Sequence, residues 1–362
     1  MRCSVGRLRA LRELSACLTG NPPDNPNWAE LLALANQSLI TPGLAAALRP
    51  SMNRVPPQVW AFLEDVQRRN CERNRRLTLQ LNDAVAALNG AGIEPTLLKG
   101  AAQMAACPPG EAFDRLLSDL DLIVLPTQVD EALAALTGAG FTAVSRHTGL
   151  SVHAVAELGR PHDVGHLDLH QRAPGPPGIA DTEELAARRR PLRIACGTVQ
   201  LPDAASQILY LILHDQFHDG DYWRGGFDLR HLMDLARLTP ALTGDDWQWL
   251  RGACATRLVR GALDAQLLSA HRLIGPTRGA VRADLHARWT HQRWLFQFAY
   301  PACRPILAVL TLALEWPILL AHRAANRQGR QRVLGASAPE PFTPARRLGR
   351  IRRIMAGASG KI

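Results

Sequence analysis

Two short segments of strict alternation constrain this chain more than any other feature. In Asp119-Leu-Asp-Leu-Ile-Val124 and His166-Leu-Asp-Leu-His170, polar and leucine positions alternate. A period of two is that of a β-strand with one apolar face, whereas a helix would spread the same leucines around its surface. Asp119 and Asp121 then share one face of the first strand, with Leu120, Leu122 and Val124 on the other. Asp168 emerges opposite Leu167 and Leu169 in the second. Aligned carboxylates repel one another unless solvent, protons or cations offset the charge. If the two strands lie side by side, the three acids form a site for divalent cations and a nucleotide triphosphate.

The flanking sequence places this pair in a mixed α and β context. Ile93-Glu-Pro-Thr-Leu-Leu-Lys99 reads as a turn entering a short strand, and Gly100-Ala-Ala-Gln-Met as a tight exit into a helix. Gly100 admits close backbone approach, and the helix that follows directs N–H groups toward a phosphate. Thr127 and Asp130 are spaced to cap a helix over 128–138, and 141–144, 151–157 and 164–170 supply further strands. Leucine- and alanine-rich helices precede this region, including a long one over 57–89 with a buried stripe and no chemistry of its own. Beyond the Pro/Gly-rich 173–178 the chain reads as helical again. The division expected is a helical region over 1–89, a core over 90–178, a helical lobe over 179–322 and a basic tail over 323–362.

Charge narrows the choice of partner. Of the formal +10, the tail from Arg323 holds a net +9, ten basic residues against Glu340 alone, which leaves about +1 for the other 322 residues. The basic signal therefore belongs to an appendage and not to the acidic motif. Seven cysteines, an odd number with no Cys-x-x-Cys pair, fit a reducing cytoplasm better than a disulfide framework. The opening residues lack the apolar core of a signal peptide, and no run of 18 apolar residues exists. The apolar stretch 305–320 reads as a helix buried against the preceding lobe. The alternative is peripheral contact with an anionic membrane through the arginines that follow.

Three segments together, Leu97-Leu-Lys-Gly100, Arg115-Leu-Leu-Ser-Asp-Leu-Asp-Leu-Ile-Val124 and Leu167-Asp-Leu-His170, resemble the uncharacterised nucleotidyltransferase family of the polymerase-beta-like superfamily. The likeness is strongest over 90–172, and Leu211-Ile-Leu-His214 and Leu232-Met-Asp-Leu-Ala236 resemble that family's downstream helices. The resemblance implies an α+β fold, with a polymerase-beta-like sheet between extensive N- and C-terminal helical regions. It implies that Asp119, Asp121 and Asp168 are catalytic ligands of Mg2+, with Mn2+ as a substitute. It further implies an NTP substrate, ATP foremost, at Gly100 and Ala101, with Lys99, Arg115 and His170 as further nucleotide contacts. The superfamily usually follows its glycine with serine or glycine, and this chain has Ala101, which removes a hydroxyl from the phosphate turn.

Each residue also has a plainer reading. Arg115 suits a phosphate but equally a carboxylate among Asp114, Asp119 and Asp121. The Lys99 side chain either adds positive charge at the site or points away by strand parity. His170 orders Asp168 or meets the nucleotide. His214 and His218, four apart on a helix, invite a metal. The acid between them is Asp215, however, where His-Glu-x-x-His needs glutamate, so packing is the plainer account. The function expected is transfer of a nucleoside monophosphate to a hydroxyl acceptor, a small molecule or modified peptide ahead of nucleic acid. The alternatives are a weakened nucleotide-binding regulatory scaffold and an RNA- or DNA-binding protein acting through the tail.

Overall fold

The computed structural model describes residues 2–317, apart from 109, 147–153, 173, 175–186, 227, 276, 278–280 and 316. The chain divides into two compact units, one built on residues 62–174 and 180–210, the other on 1–61, 175–179 and 211–362.

The alternating segments form strands in the first unit. Among the described residues β1 (Thr96–Leu97), β2 (Asp119–Ile123), β3 (Thr142–Arg146), β4 (Ala154–Gly159), β5 (His166–His170), β6 (Arg189–Ile194) and β7 (Gly197–Pro202) make one mixed sheet. Its order is β3-β4-β5-β2-β1-β7-β6. β2 and β5 pair in parallel, with Asp119 opposite His166 and Asp121 opposite Asp168. β1 pairs antiparallel with β2, Thr96 opposite Ile123 and Leu97 opposite Leu122. The leucines that alternate with the acids are fully buried and join Leu77, Leu81, Val85 and Leu88 of a long helix in one core. That helix is α4 (Pro57–Gly90), after α1 (Arg2–Leu18), α2 (Trp28–Gln37) and α3 (Thr41–Leu48). Two further helices complete the unit's framework, α5 (Lys99–Ala106) after β1 and α6 (Val129–Gly138) after β2.

Several expected boundaries move. Lys99 is the first residue of α5 and not the end of a strand. Thr127 lies in a 3-10 turn (Pro126–Gln128), so α6 begins one residue later than a Thr127 cap would place it. β6 and β7 lie where the sequence read as helical. They form an antiparallel hairpin with Leu192 opposite Val199 and Ile194 opposite Gly197. Pro191 obscures the first strand's pattern; it is tolerated because β6 is the edge of the sheet, where a missing N–H leaves no ladder bond unmade.

The second unit is helical among the described residues. It contains α1–α3, then α8 (Asp221–Arg224), α9 (Leu229–Leu238), α10 (Gly244–Ala253), α11 (Arg257–Leu273) and α12 (Leu285–Ala299), while α7 (Ala204–Ile212) leads into a π-helical turn (Leu213–His218). Leu11, Leu14, Leu31, Leu44, Leu263, Trp294 and Phe298 are buried in it. Tyr222 and Trp223 are buried too, so both serve as packing anchors.

The helical run 304–315 corrects the expectation for the apolar stretch. It buries Ala308, Thr311 and Glu315 and exposes Ile306, Val309, Leu310 and Leu314. Thr311 and Glu315 face inward because they have partners there: Arg293 donates to Thr311 Oγ1 at 2.8 Å, and the Tyr222 hydroxyl donates to Glu315 Oε1 at 2.8 Å. Among the described residues no single helix is long and apolar enough to cross a membrane. The arginine-rich tail and residues 316 and 318–320 of the apolar stretch lie outside the described residues.

Candidate active site

Parallel pairing of β2 and β5 sets Asp121 and Asp168 side by side. One ligand atom each from Asp121, Asp168 and His170 can be chosen so that all lie within 4.8 Å of one another. His170 follows Asp168 by two residues and so shares its face. Its Nε2–H donates to Asp121 Oδ1 at 3.0 Å, which gives it a carboxylate partner on β2. The Lys99 ammonium donates to the same oxygen at 2.8 Å.

Asp121 is only 2 % exposed, yet it carries a charge. Burial alone would push its carboxyl up. The Lys99 ammonium and the His170 hydrogen bond outweigh burial and hold it well below the ordinary carboxylate range. Asp168 goes the other way. Burial, then the charges of Asp121 and Asp119, push its carboxyl up to about 7. This donor set fits a hard divalent cation. Two carboxylates converge, one is reluctant to ionise beside the other, and an ammonium already sits where positive charge is wanted.

Lys99 reaches Asp121 through unusual backbone. Its φ is +46°, in the left-handed region, which for a residue with a Cβ costs on the order of 1–3 kcal/mol and is characteristic of functional sites. The turn thereby places the amine on β2 and starts α5 at once. Leu98, which precedes α5, makes no side-chain cap bond, so the first-turn N–H groups of the helix have no cap at that residue. Gly100 is buried there, and a Cβ on it would overlap Leu117 Cδ2 and Arg115 Nη1. The Arg115 guanidinium thus lies directly against the glycine turn. The methyl of Ala101 packs in the core with Leu117 and Leu120, so only its backbone can face a phosphate.

Among the expected site residues, Asp121, Asp168, His170 and Lys99 come together, and Arg115 meets Gly100. Asp119 lies at the open start of β2, where Ser118 Oγ donates to it at 3.1 Å, and it stands outside the group formed by Asp121, Asp168 and His170. It is still close enough for its charge to act on Asp168.

Helix α4 contributes more than its apolar stripe. Asn74 Nδ2, nearly fully buried, donates to the carbonyls of Phe113 at 2.9 Å and Arg115 at 3.1 Å. Arg73 Nε donates to the Leu117 carbonyl at 3.0 Å, and Gln80 Nε2 to the Gly165 carbonyl at 2.8 Å. These positioning residues fasten the segments that lead into β2 and β5. Gly165 is a further one: a Cβ there would meet the Ser118 carbonyl oxygen at 2.9 Å and Leu77 Cδ2 at 2.7 Å. The only sequence signal for this set is amide side chains on a helix otherwise free to be charged.

A mixed sheet with acids on parallel neighbouring strands, beside a helix that opens on a buried glycine, defines a nucleotidyltransferase fold of the polymerase-beta kind. A family model described as "uncharacterised nucleotidyltransferase" matches residues 24–275, more than half of the chain. The protein belongs to that family and is a nucleotidyltransferase enzyme. Two solved structures are similar to it. One is the solution structure of antibiotic-resistance factor ANT(2'')-Ia, 15% identical with a TM-score of 0.36, over 51% of this chain and 94% of that one. The other is the crystal structure of ANT(2'')-Ia in complex with adenylyl-2''-tobramycin, also 15% identical with a TM-score of 0.36, over 49% and 95%. No curated protein matches the chain in sequence.

Proposed function

We propose that the protein transfers a nucleoside monophosphate from a magnesium-bound NTP, ATP foremost, to a hydroxyl of a small molecule or modified peptide. The observation that carries this reading is the register that sets Asp121 against Asp168, beside the opening of α5. Asp121 and Asp168 would hold the cation, with Asp119 flanking them. Bound there, it would supply Lewis-acid stabilisation to the transferring phosphoryl group. The first-turn N–H groups of α5 at Gly100 and Ala101 would bind phosphate oxygens, and the Arg115 fork would bind them from the other side of the turn. Asp168, beside that cation, would accept the acceptor hydroxyl's proton, whose loss the positive charge would favour. The hydroxyl oxygen then bonds to the alpha phosphorus as the bond to pyrophosphate breaks. His170, through its bond to Asp121 Oδ1, would keep that carboxylate oriented.

The acceptor is placed ahead of nucleic acid because the positive charge is held by the tail and not by the acidic motif. One observation favours a second reading. Lys99 and His170 both donate to Asp121 Oδ1, an arrangement that would also suit a scaffold that binds nucleotide without turning it over. Mass detection of covalent products across the four NTPs and a panel of hydroxyl acceptors separates the two. Transfer that releases pyrophosphate and falls by about 100-fold or more in Asp121→Asn is expected. Nucleotide binding with no product for any acceptor would leave the scaffold.

A further inference from the structure

A second set of metal-ligating side chains lies in the helical unit, on residues the transfer reaction does not use. The continuation of α7 is a π-helical turn, Leu213–His218, in which the Asp219 N–H donates to the His214 carbonyl at 2.9 Å, five residues back. In an α-helix, residues five apart point about 140° away from each other. The wider π turn stacks them, so His214, His218 and Asp219 share one face. Their ligand atoms lie within 4.8 Å of one another. His214 Nδ1 and Asp219 Oδ2 are 3.4 Å apart, and the two imidazoles stand 5.3 Å centre to centre. Two ligands of a tetrahedral zinc ion are separated by about 3.3 Å, the edge set by metal–ligand bonds near 2 Å. All three residues are half-buried, so an ion could enter from solvent.

Behind this face lies a buried acidic network. Asp215 Oδ1 is 3.6 Å from His214 Nδ1 and accepts from His231 Nδ1 at 2.6 Å. Asp228 accepts from the Arg230 and His231 backbone N–H groups, at 3.0 and 3.3 Å. Asp215, Asp221 and Asp228 are each 2 % exposed or less; Asp221 and Asp228 are paired with Arg224 and Arg230, and Asp215 is the buried acid that stands directly beside His214. π turns are rare and concentrate at functional sites, and here the irregularity is what brings the third donor in.

We propose that His214, His218 and Asp219 bind one divalent transition cation of the zinc class, in a site separate in its residues from the Asp121–Asp168 pair. Two imidazole nitrogens and one carboxylate oxygen suit such an ion better than magnesium, which prefers oxygen donors throughout. Three protein ligands leave a position for water. The test uses the full-length chain, stripped with a chelator, titrated with Zn2+ against a chromophoric competitor and checked by elemental analysis after dialysis. One retained equivalent is expected. Affinity should fall by about tenfold or more in His214→Ala, His218→Gln and Asp219→Asn, and stay unchanged in Asp121→Asn. Visible absorption of the Co2+-loaded protein should be lost in the same three variants, with far-ultraviolet circular dichroism showing that they remain folded. Zinc that fails to be retained by the wild-type chain, or that is retained equally by folded His218→Gln and Asp219→Asn, overturns the site. Loss of zinc in Asp121→Asn alone would also overturn it, by assigning the ion to the carboxylate pair.

Discussion

Asp121 and Asp168 face each other across β2 and β5, yet their carboxyls move in opposite directions. Lys99 and His170 hold one charge in place, and the other acid must ionise beside it with no equal compensation. The folded chain therefore keeps a proton on Asp168 that the unfolded chain has already released. That contribution to stability is complete below the ordinary carboxylate range and is lost as pH rises through about 7. Asp121 has the opposite sign: its contribution is present at neutral pH and is lost only in acid. Thermal unfolding of chelator-treated protein between about pH 5 and 8 should thus show a falling trend that Asp168→Asn flattens. An unchanged slope in that variant would remove Asp168 as its source. Because protons compete with cations for the same oxygens, magnesium affinity should rise across the same interval and level off above about 7.

At the scale of elements, the site depends on how closely two chain segments approach before their strands begin. Ser118 precedes β2 and Gly165 precedes β5, and the contact between them leaves no room for a Cβ. Gly165→Ala should push the strand entries apart and separate Asp121 from Asp168, lowering both melting temperature and transfer rate. Asn74→Ala should act differently. It removes two bonds that hold the Arg115 segment, a loss of about 1–3 kcal/mol, although the Phe113 carbonyl still accepts from Asn70 Nδ2 at 3.2 Å. Its expected signature is a raised KM for NTP with the metal affinity at Asp121 and Asp168 retained, measured by steady-state kinetics and magnesium titration. A wild-type KM in Asn74→Ala would show that the segment holds its place without Asn74.

For the whole molecule, the distribution of charge decides between acceptor classes. A protein that reads nucleic acid through many phosphate contacts loses affinity steeply with salt. Here residues 323–362 hold a net +9 of the chain's formal +10. A chain ending at Arg323 should transfer nucleotide to its acceptor with wild-type kcat and KM. Any salt-sensitive binding of RNA, DNA or anionic vesicles by the full chain should disappear with the tail. Loss of transfer itself on truncation would tie the acceptor to those arginines.

The residue pattern alone determined the strands that matter most. Alternation in Asp119–Val124 and His166–His170 was enough to read two strands and to put their acids on shared faces, because strand parity is a local property; the α+β nucleotidyltransferase reading came from the family resemblance that these segments carry together with Leu97-Leu-Lys-Gly100. The hairpin β6–β7 was not legible, since Pro191 breaks the pattern and only the edge position excuses it. The partners of the acids were equally hidden. That Lys99 turns onto Asp121, that His170 bonds Asp121, and that Asn74 anchors the Arg115 segment depend on contacts 22, 49 and 41 residues apart along the chain. The sequence fixes which groups exist and which face each takes within its own element. Only the tertiary structure decides which of them meet, and burial at that meeting then splits the two carboxyls apart.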